Sequence, residues 1–191
     1  MVTSYKIDES VLEKLKLKAL PENTRKAFLI CTQNHFFIEG NWYLAGGTAL
    51  ALQAGHRKSV DLDFFTSDQG FDVQKAEEIL NAFGVWETTS TSPNTLFGEL
   101  NGAKISLIAY PSFHIVKPLL KVGTVSVIAP ADIAAMKIVA VSQRGKKRDF
   151  FDLYWISKNM QPLSESIESM QKQYTIKQNP THILKSLVYF E

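Results

Sequence analysis

Hydrophobic positions change their period several times along this chain, and each change marks an element. Val11, Leu12, Leu15 and Leu17 stand at mixed helical spacing among lysines. Pro21-Glu22-Asn23 opens a second helical run that carries Phe28, Leu29 and Phe36 and ends at Gly40. Together they predict two helices in the first 40 residues. Residues 42–45 read as a short buried strand, and 48–54 (TALALQA) as a helical turn-and-a-half closed by Gly55. Residues 60–66 (VDLDFFT) alternate and are rich in β-branched and aromatic side chains, which predicts a strand. Its flanks, Val60, Leu62 and Phe64 on one face and Phe65 beyond, give it the character of a central strand, with those three residues toward the core.

Asp72 is placed to cap a helix whose Val73, Ala76, Ile79, Leu80 and Phe83 recur at helical spacing. Residues 85–91 predict a further strand, and 95–100 and 103–110 flank Asn101-Gly102, the strongest short-range hairpin signal. Another strand is expected at 124–129 and helices at 130–141 and 148–157, with two more in the tail from 162 to 190. Helices, then a small mixed sheet with a packing helix, then helices again define an α+β class with a helical C-terminal part. Residues 1–130 are expected to form the α/β core and 131–191 a helical part packed on it, both within one domain if the packing is tight.

Composition narrows the classes further. The 191 residues carry 21 Lys and Arg against 19 Asp and Glu, a net charge of +2, so no uniform positive coat suits a nucleic acid. Hydrophobic residues at 45% suffice for a packed core and exclude a disordered chain. One cysteine, Cys31, excludes an internal disulfide and reads as a small buried hydrophobe. No apolar run approaches the roughly 20 residues that span a bilayer, and the segment MVTSYKIDES lacks the apolar stretch of a secretion signal. A soluble cytoplasmic protein without a membrane partner is the expectation.

Two local patterns carry chemistry. In Leu44-Ala45-Gly46-Gly47-Thr48 a strand runs through two glycines into a helix. Such a start presents bare N–H groups and a positive dipole end, which suit phosphate, and the Thr48 hydroxyl would add a donor. The bland alternative is a tight connection. In Asp61-Leu62-Asp63, strand geometry turns both carboxylates to one face, about 6.5 Å apart along the chain. Two such acids repel unless a cation lies between them, and Mg²⁺ bridging carboxylates to a triphosphate meets that need. The alternative is a solvated acidic edge.

Gly-Gly-Thr followed, thirteen residues after Thr48, by Asp-x-Asp is the arrangement of the nucleotidyltransferase β superfamily. The stretch Gly55-His56-Arg57-Lys58-Ser59-Val60-Asp61-Leu62-Asp63-Phe64-Phe65 closely resembles the AbiEii/AbiGii toxin-type nucleotidyltransferases. So do Asp132-Ile133-Ala134-Ala135-Met136-Lys137 and Arg148-Asp149-Phe150-Phe151-Asp152-Leu153-Tyr154, in the right order. The resemblance runs from about Trp42 to Trp155 and implies a polymerase β-like nucleotidyltransferase fold. It implies that Asp61 and Asp63 hold Mg²⁺, that Gly46, Gly47 and Thr48 cradle the phosphates of an NTP, and that Lys137 neutralises phosphate charge, with Arg57 and Arg144 as further cations. Asp152, with Asp149 beside it, corresponds to the last-motif aspartate. An RNA acceptor, such as a tRNA 3′ end, and a separately encoded antitoxin are the partners it implies.

One departure stands out. Superfamily members bring a third carboxylate from a neighbouring strand, and the matching position in residues 103–108 is Ser106. A serine cannot serve as a base at neutral pH without its own activator. With a two-residue turn at Asn101-Gly102, Glu99 faces Lys104 and lies diagonal to Ser106. It then reads either as a cross-strand ion pair or as a substitute acid. The catalytically weak nucleotide-binding module therefore stays beside the enzyme as a second expectation. Ile133, Lys137, Val141 and Arg144 share one helical face, and Asp149 and Asp152 another. The basic run Arg144, Lys146, Lys147 and Arg148 either contacts triphosphate or RNA or is a solvated loop. His35, His114 and His182 stand in no ligand spacing, and Trp42, Trp86 and Trp155 read as core anchors.

Overall fold

Among the described residues seven strands are ordered β3-β4-β5-β2-β1-β7-β6 in one mixed sheet. They are β1 (Tyr43–Ala45), β2 (Leu62–Thr66), β3 (Trp86–Ser92), β4 (Thr95–Leu100), β5 (Ala103–Ala109), β6 (Leu120–Val122) and β7 (Val125–Val127). The computed structural model describes residues 7–189. The start of the chain and Phe190, the last residue of the expected tail helix, lie outside the described residues. The chain divides into two compact units, one of residues 1–111 with 119–127, the other of 112–118 with 128–191.

The first unit holds the whole sheet. β2 lies at its centre, antiparallel to β1 and parallel to β5, and its alternating burial turns Leu62, Phe64 and Thr66 inward while Asp63 and Phe65 stay half-buried. Central placement is thus as expected, but the strand begins at Leu62. Asp61 precedes it, and Val60, expected in the core, is 48% exposed. The hairpin between β4 and β5 turns on Asn101 (φ 51°) and Gly102 (φ 75°), with Leu100 opposite Ala103. Both positive φ values are those of a two-residue primed turn. Glu99 consequently stands opposite Lys104.

Four helices pack in this unit: α1 (Glu9–Lys14), α2 (Glu22–Cys31), α3 (Phe36–Glu39) and α4 (Gly46–Ala54), with α5 (Val73–Phe83) as a fifth against β3 and β4. Asp72 caps α5 through the Lys75 N–H at 3.0 Å. The helix expected through Phe36 stops at Cys31, because Thr124 claims its carbonyls. Thr124 Oγ1 donates to Cys31 O at 2.8 Å, and its N–H donates to Thr32 O at 2.8 Å. Asn34 then opens α3 by accepting from the Phe36 N–H at 3.0 Å. The sequence pattern missed β6, which pairs antiparallel with β7 around Gly123. A Cβ at Gly123 would lie 2.1 Å from the Thr32 carbonyl oxygen, and φ there is +58°, so only glycine fits this close approach. Trp42, Phe28, Phe37, Phe64 and Cys31 fill the core, with burial pushing the Cys31 thiol well above its ordinary pKa. Trp42 and Trp86 are buried as expected, whereas Trp155, in the second unit, is only half-buried.

The second unit is built on α6 (Pro130–Arg144), which contacts α7 (Lys147–Asn159), α8 (Leu163–Gln173) and α9 (Pro180–Val188). α6 runs one turn beyond its expected end and closes on Gly145, whose N–H returns to Val141 O at 3.0 Å. Asp132 in its first turn is buried and accepts from the Lys117 N–H (3.0 Å) and from Gln173 Nε2 (2.5 Å). That carboxylate ties the segment 112–118 to the helices, aided by the Phe113–Tyr174 ring pair at 5.2 Å.

Candidate functional site

β1 delivers the chain into α4 at a sharp corner. Gly46 has φ +69°, a left-handed conformation that side chains disfavour, and the N-cap Ala45 offers no side-chain acceptor to the first turn. The first N–H groups of α4 are therefore presented by backbone alone. Ala45 is in register with Asp63, which in turn is in register with Ser106. A Cβ on Gly46 would come within 3.0 Å of Asp63 Oδ2, so the turn and the carboxylate share one place. The other oxygen, Oδ1, accepts a 2.8 Å hydrogen bond from Ser106 Oγ.

Arg57 completes the corner. A Cβ on Gly47 would stand 2.1 Å from Arg57 Nη2, so the guanidinium lies directly against this glycine, steadied by Nη1 donating to Lys58 O at 2.9 Å. Lys58 turns elsewhere and donates through Nζ to the Lys18 carbonyl. Thr48 is buried, and its hydroxyl differs from expectation. It is not directed out as an added phosphate donor, because it donates to the main-chain carbonyl of Asp61. Its oxygen also lies 2.9 Å from Ser59 Oγ. Thr48 thus anchors the segment that carries Asp61. Ser59, buried in the same contact, was not singled out in the sequence, since a serine beside a basic run carries no distinguishing pattern.

Gly46, Gly47, Thr48, Arg57, Asp61, Asp63 and Ser106 are accordingly brought together in the first unit. At the turn itself stand the Asp63 carboxylate and the Ser106 hydroxyl, with Asp61 two residues before Asp63 and held through its main-chain carbonyl, around a backbone that a Cβ on Gly46 or Gly47 would obstruct. Together they are the oxygen-rich, incomplete set that suits a hard cation sharing its shell with phosphate. Among the described residues no three His, Cys, Asp or Glu side chains form a complete cage of their own.

The remaining candidates belong to the second unit. Lys137 is 4% exposed, and its Nζ lies 2.6 Å from Asp149 Oδ1 and 2.8 Å from Asp152 Oδ2. Arg144 forks onto Asp149, with Nε at 2.9 Å and Nη2 at 3.1 Å. Asp149 and Asp152 share the inner face of α7, as their spacing predicts, and neither is exposed. Burial raises the Asp149 pKa, but the Arg144 hydrogen bonds and the Lys137 charge outweigh it and hold the carboxyl below its ordinary value. Two cations and two carboxylates cancel formally, so Lys137 is neither snorkelling nor a spare positive charge. It is compensated within its own helical unit.

A match to a family model and to known proteins follows from this chain. The class is that of the nucleotidyltransferases, an α+β protein with a mixed sheet. Within that class the chain belongs to the family described as nucleotidyl transferase AbiEii toxin of type IV toxin–antitoxin systems, whose model matches residues 29–115 and 104–191. An uncharacterized protein of Aquifex aeolicus (strain VF5) is 35% identical over 157 residues, covering 81% of this chain and 76% of that protein. Among solved structures, the Megavirus polyadenylate synthase gives a TM-score of 0.49 at 14% identity, over 72% of this chain and 32% of that one. This chain thus spans about a third of that enzyme. MenT4, a nucleotidyltransferase toxin of Mycobacterium tuberculosis H37Rv, gives 0.46 at 15% identity, over 91% of this chain and 75% of its own. An antigenic nucleotidyltransferase-like protein of Paracoccidioides brasiliensis gives 0.46 at 14%, over 87% and 92%. Among the described residues no helix is long and apolar enough to cross a membrane.

Proposed function

We propose that this chain is a cytoplasmic enzyme that transfers a nucleoside monophosphate from an NTP to the hydroxyl of an RNA acceptor, as the toxin of a pair with a separately encoded antitoxin. The observation that carries this reading is the coincidence at one corner of Gly46, the Asp63 carboxylate 3.0 Å from the position of its missing Cβ, and the Arg57 guanidinium over Gly47. Asp61 and Asp63 are the residues that would hold Mg²⁺. When bound, the ion would supply charge neutralisation for a triphosphate that both carboxylates would otherwise repel. Gly46 and Gly47 admit phosphate oxygens close to the backbone, and the first N–H groups of α4 donate to them. Arg57 adds a fixed positive charge where the leaving pyrophosphate gains its negative charge. Thr48 keeps the Asp61 segment in place, and Ser106 orients Asp63. The acceptor oxygen forms the new P–O bond at the α-phosphorus and loses its proton to solvent, while the bond from the α-phosphorus to the bridging oxygen breaks and pyrophosphate leaves. Lys137, Asp149 and Asp152 serve this reading as the family's downstream motifs and, with Arg144, hold the helical unit together by charge.

A second reading is favoured by the Ser106–Asp63 hydrogen bond: a neutral hydroxyl stands where a carboxylate would help take the acceptor's proton. On that reading the chain binds nucleotide and acts through a protein partner. Incubation with Mg²⁺, each labelled NTP and total cellular RNA separates the two. Label in RNA that disappears in both Asp61→Ala and Asp63→Ala supports the enzyme. Nucleotide binding by the native protein without transfer to RNA or protein selects the binding module.

A further inference from the structure

Helix α7 sorts its charges in a way the proposed chemistry does not use. Both of its acids, Asp149 and Asp152, are fully buried against Lys137, so its exposed charged side chains are Lys147, Arg148 and Lys158 alone. Between them lie two exposed aromatics, Phe151 (47% exposed) and Tyr154 (61% exposed). Lys147, Phe151, Tyr154 and Lys158 fall at i, i+4, i+7 and i+11, one continuous stripe about 16 Å long. Lys158 Nζ lies 5.8 Å from the centre of the Tyr154 ring, so cation and ring are already associated. Beside the stripe runs a groove of about 680 Å³, lined by Phe150, Phe151, Tyr154, Leu163 and Tyr189, with Lys147 at its edge and no acid among its described lining residues. Gly145 and Tyr189 also line an adjoining hollow of about 640 Å³, whose walls include Arg144, His182 and Lys185.

An apolar aromatic groove bordered by cations on two sides matches a polyanion that carries flat rings. Stacked duplex bases offer no ring faces, whereas the unpaired bases of a single strand do, and aromatic platforms hold them without regard to sequence. The geometry points to the Lys147–Phe151–Tyr154–Lys158 face of α7 and its groove as a binding surface for single-stranded nucleic acid. Bases stack on Phe151 and Tyr154, and phosphates meet Lys147 and Lys158, with Lys185 in the adjoining hollow. This rests on the proposed reading only in taking that strand to be the RNA acceptor.

The test is fluorescence anisotropy of the whole protein with a labelled 12-nucleotide oligouridylate and with an RNA duplex of equal length, across a salt series. The native protein is expected to prefer the single strand. Phe151→Ala with Tyr154→Ala should weaken it at least tenfold, since both stacking platforms are removed. Lys147→Gln with Lys158→Gln, which leaves both aromatic rings in place, should lower the slope of log K against log salt by about 1.4. Unchanged affinity in either folded double variant, equal binding of the duplex, or no binding by the native protein overturns the proposal. So does a native dimer that the aromatic variant dissociates without loss of RNA affinity, because the face would then join copies of the chain. Transfer activity keeps the two ideas distinguishable. If RNA is labelled and its KM is unmoved in the aromatic variant, this surface falls and the enzyme reading stands. If oligonucleotide binding follows the face but no nucleotide is transferred, the surface stands and the enzyme reading falls.

Discussion

Ser106 donates a 2.8 Å hydrogen bond to Asp63 Oδ1 from the directly registered position of the neighbouring parallel strand. A carboxylate introduced by Ser106→Asp would face Asp63 across the same register. Without a divalent ion the two like charges should destabilise the protein by roughly 1–2 kcal/mol. Millimolar Mg²⁺ should then raise the melting temperature of the variant more than that of the native protein. Thermal unfolding with and without Mg²⁺ checks this, and a loss indifferent to the ion would count against Asp63 as a metal ligand.

Thr48 supports Asp61 through its main-chain carbonyl, and that distinguishes anchoring from phosphate binding. Thr48→Val keeps the shape and removes the hydroxyl that donates to the Asp61 carbonyl. The expected result is a stability loss of about 1 kcal/mol together with weaker NTP binding, because the Asp61 segment loosens. Weaker NTP binding at unchanged melting temperature would instead mean that the hydroxyl meets phosphate.

The hairpin at Asn101-Gly102, the capped helix after Asp72 and the central alternating strand were all legible because each is encoded locally, by turn chemistry, a cap or a period. That Ser106 stands beside Asp63 was expected from the family resemblance alone, since neither the hairpin nor the alternation sets how β5 pairs with β2. What escaped was tertiary. β6 is three residues long, too short to show a period, and its turn into the expected β7 depends on Gly123 passing close to the Thr32 carbonyl. α2 ends where it does because of Thr124, far along the chain. The glycine corner was visible as a motif, but the direction of the Thr48 hydroxyl depends on where the Asp61 carbonyl lies. Lys137 looked like an available cation because its two carboxylates belong to the next helix.

Removing Lys137 should therefore damage folding before it damages chemistry. Lys137→Met removes the cation that Asp149 and Asp152 share in a buried site, and breaking such a cluster costs about 3–5 kcal/mol. Neutralising the acids as well, in Lys137→Met with Asp149→Asn and Asp152→Asn, should recover part of that loss. Denaturant midpoints of the single and triple variants decide it. A single variant of native stability would show that the lysine is not compensated in this way.

Asp149 makes the same cluster sensitive to acid, with a definite sign. Its folded pKa lies below the ordinary value of 3.8, so the unfolded chain takes up the proton first as pH falls. The stability it contributes is complete above about pH 4 to 5, declines as the pH drops through the ordinary carboxylate range, and is gone below the folded pKa. Asp149→Asn has no proton to take up at this position. At neutral pH the variant should be less stable than the native protein by roughly 1.5–3 kcal/mol, the range for hydrogen bonds to a charged group. Below pH 4 the two melting curves should converge, because the native carboxyl is then losing its charge as well. Comparing the difference in unfolding free energy at neutral and acid pH isolates this one group, since every other carboxylate titrates in both proteins. A difference that stays constant from neutral pH to pH 3 would place the Asp149 contribution in packing rather than in its ion pairs with Arg144 and Lys137.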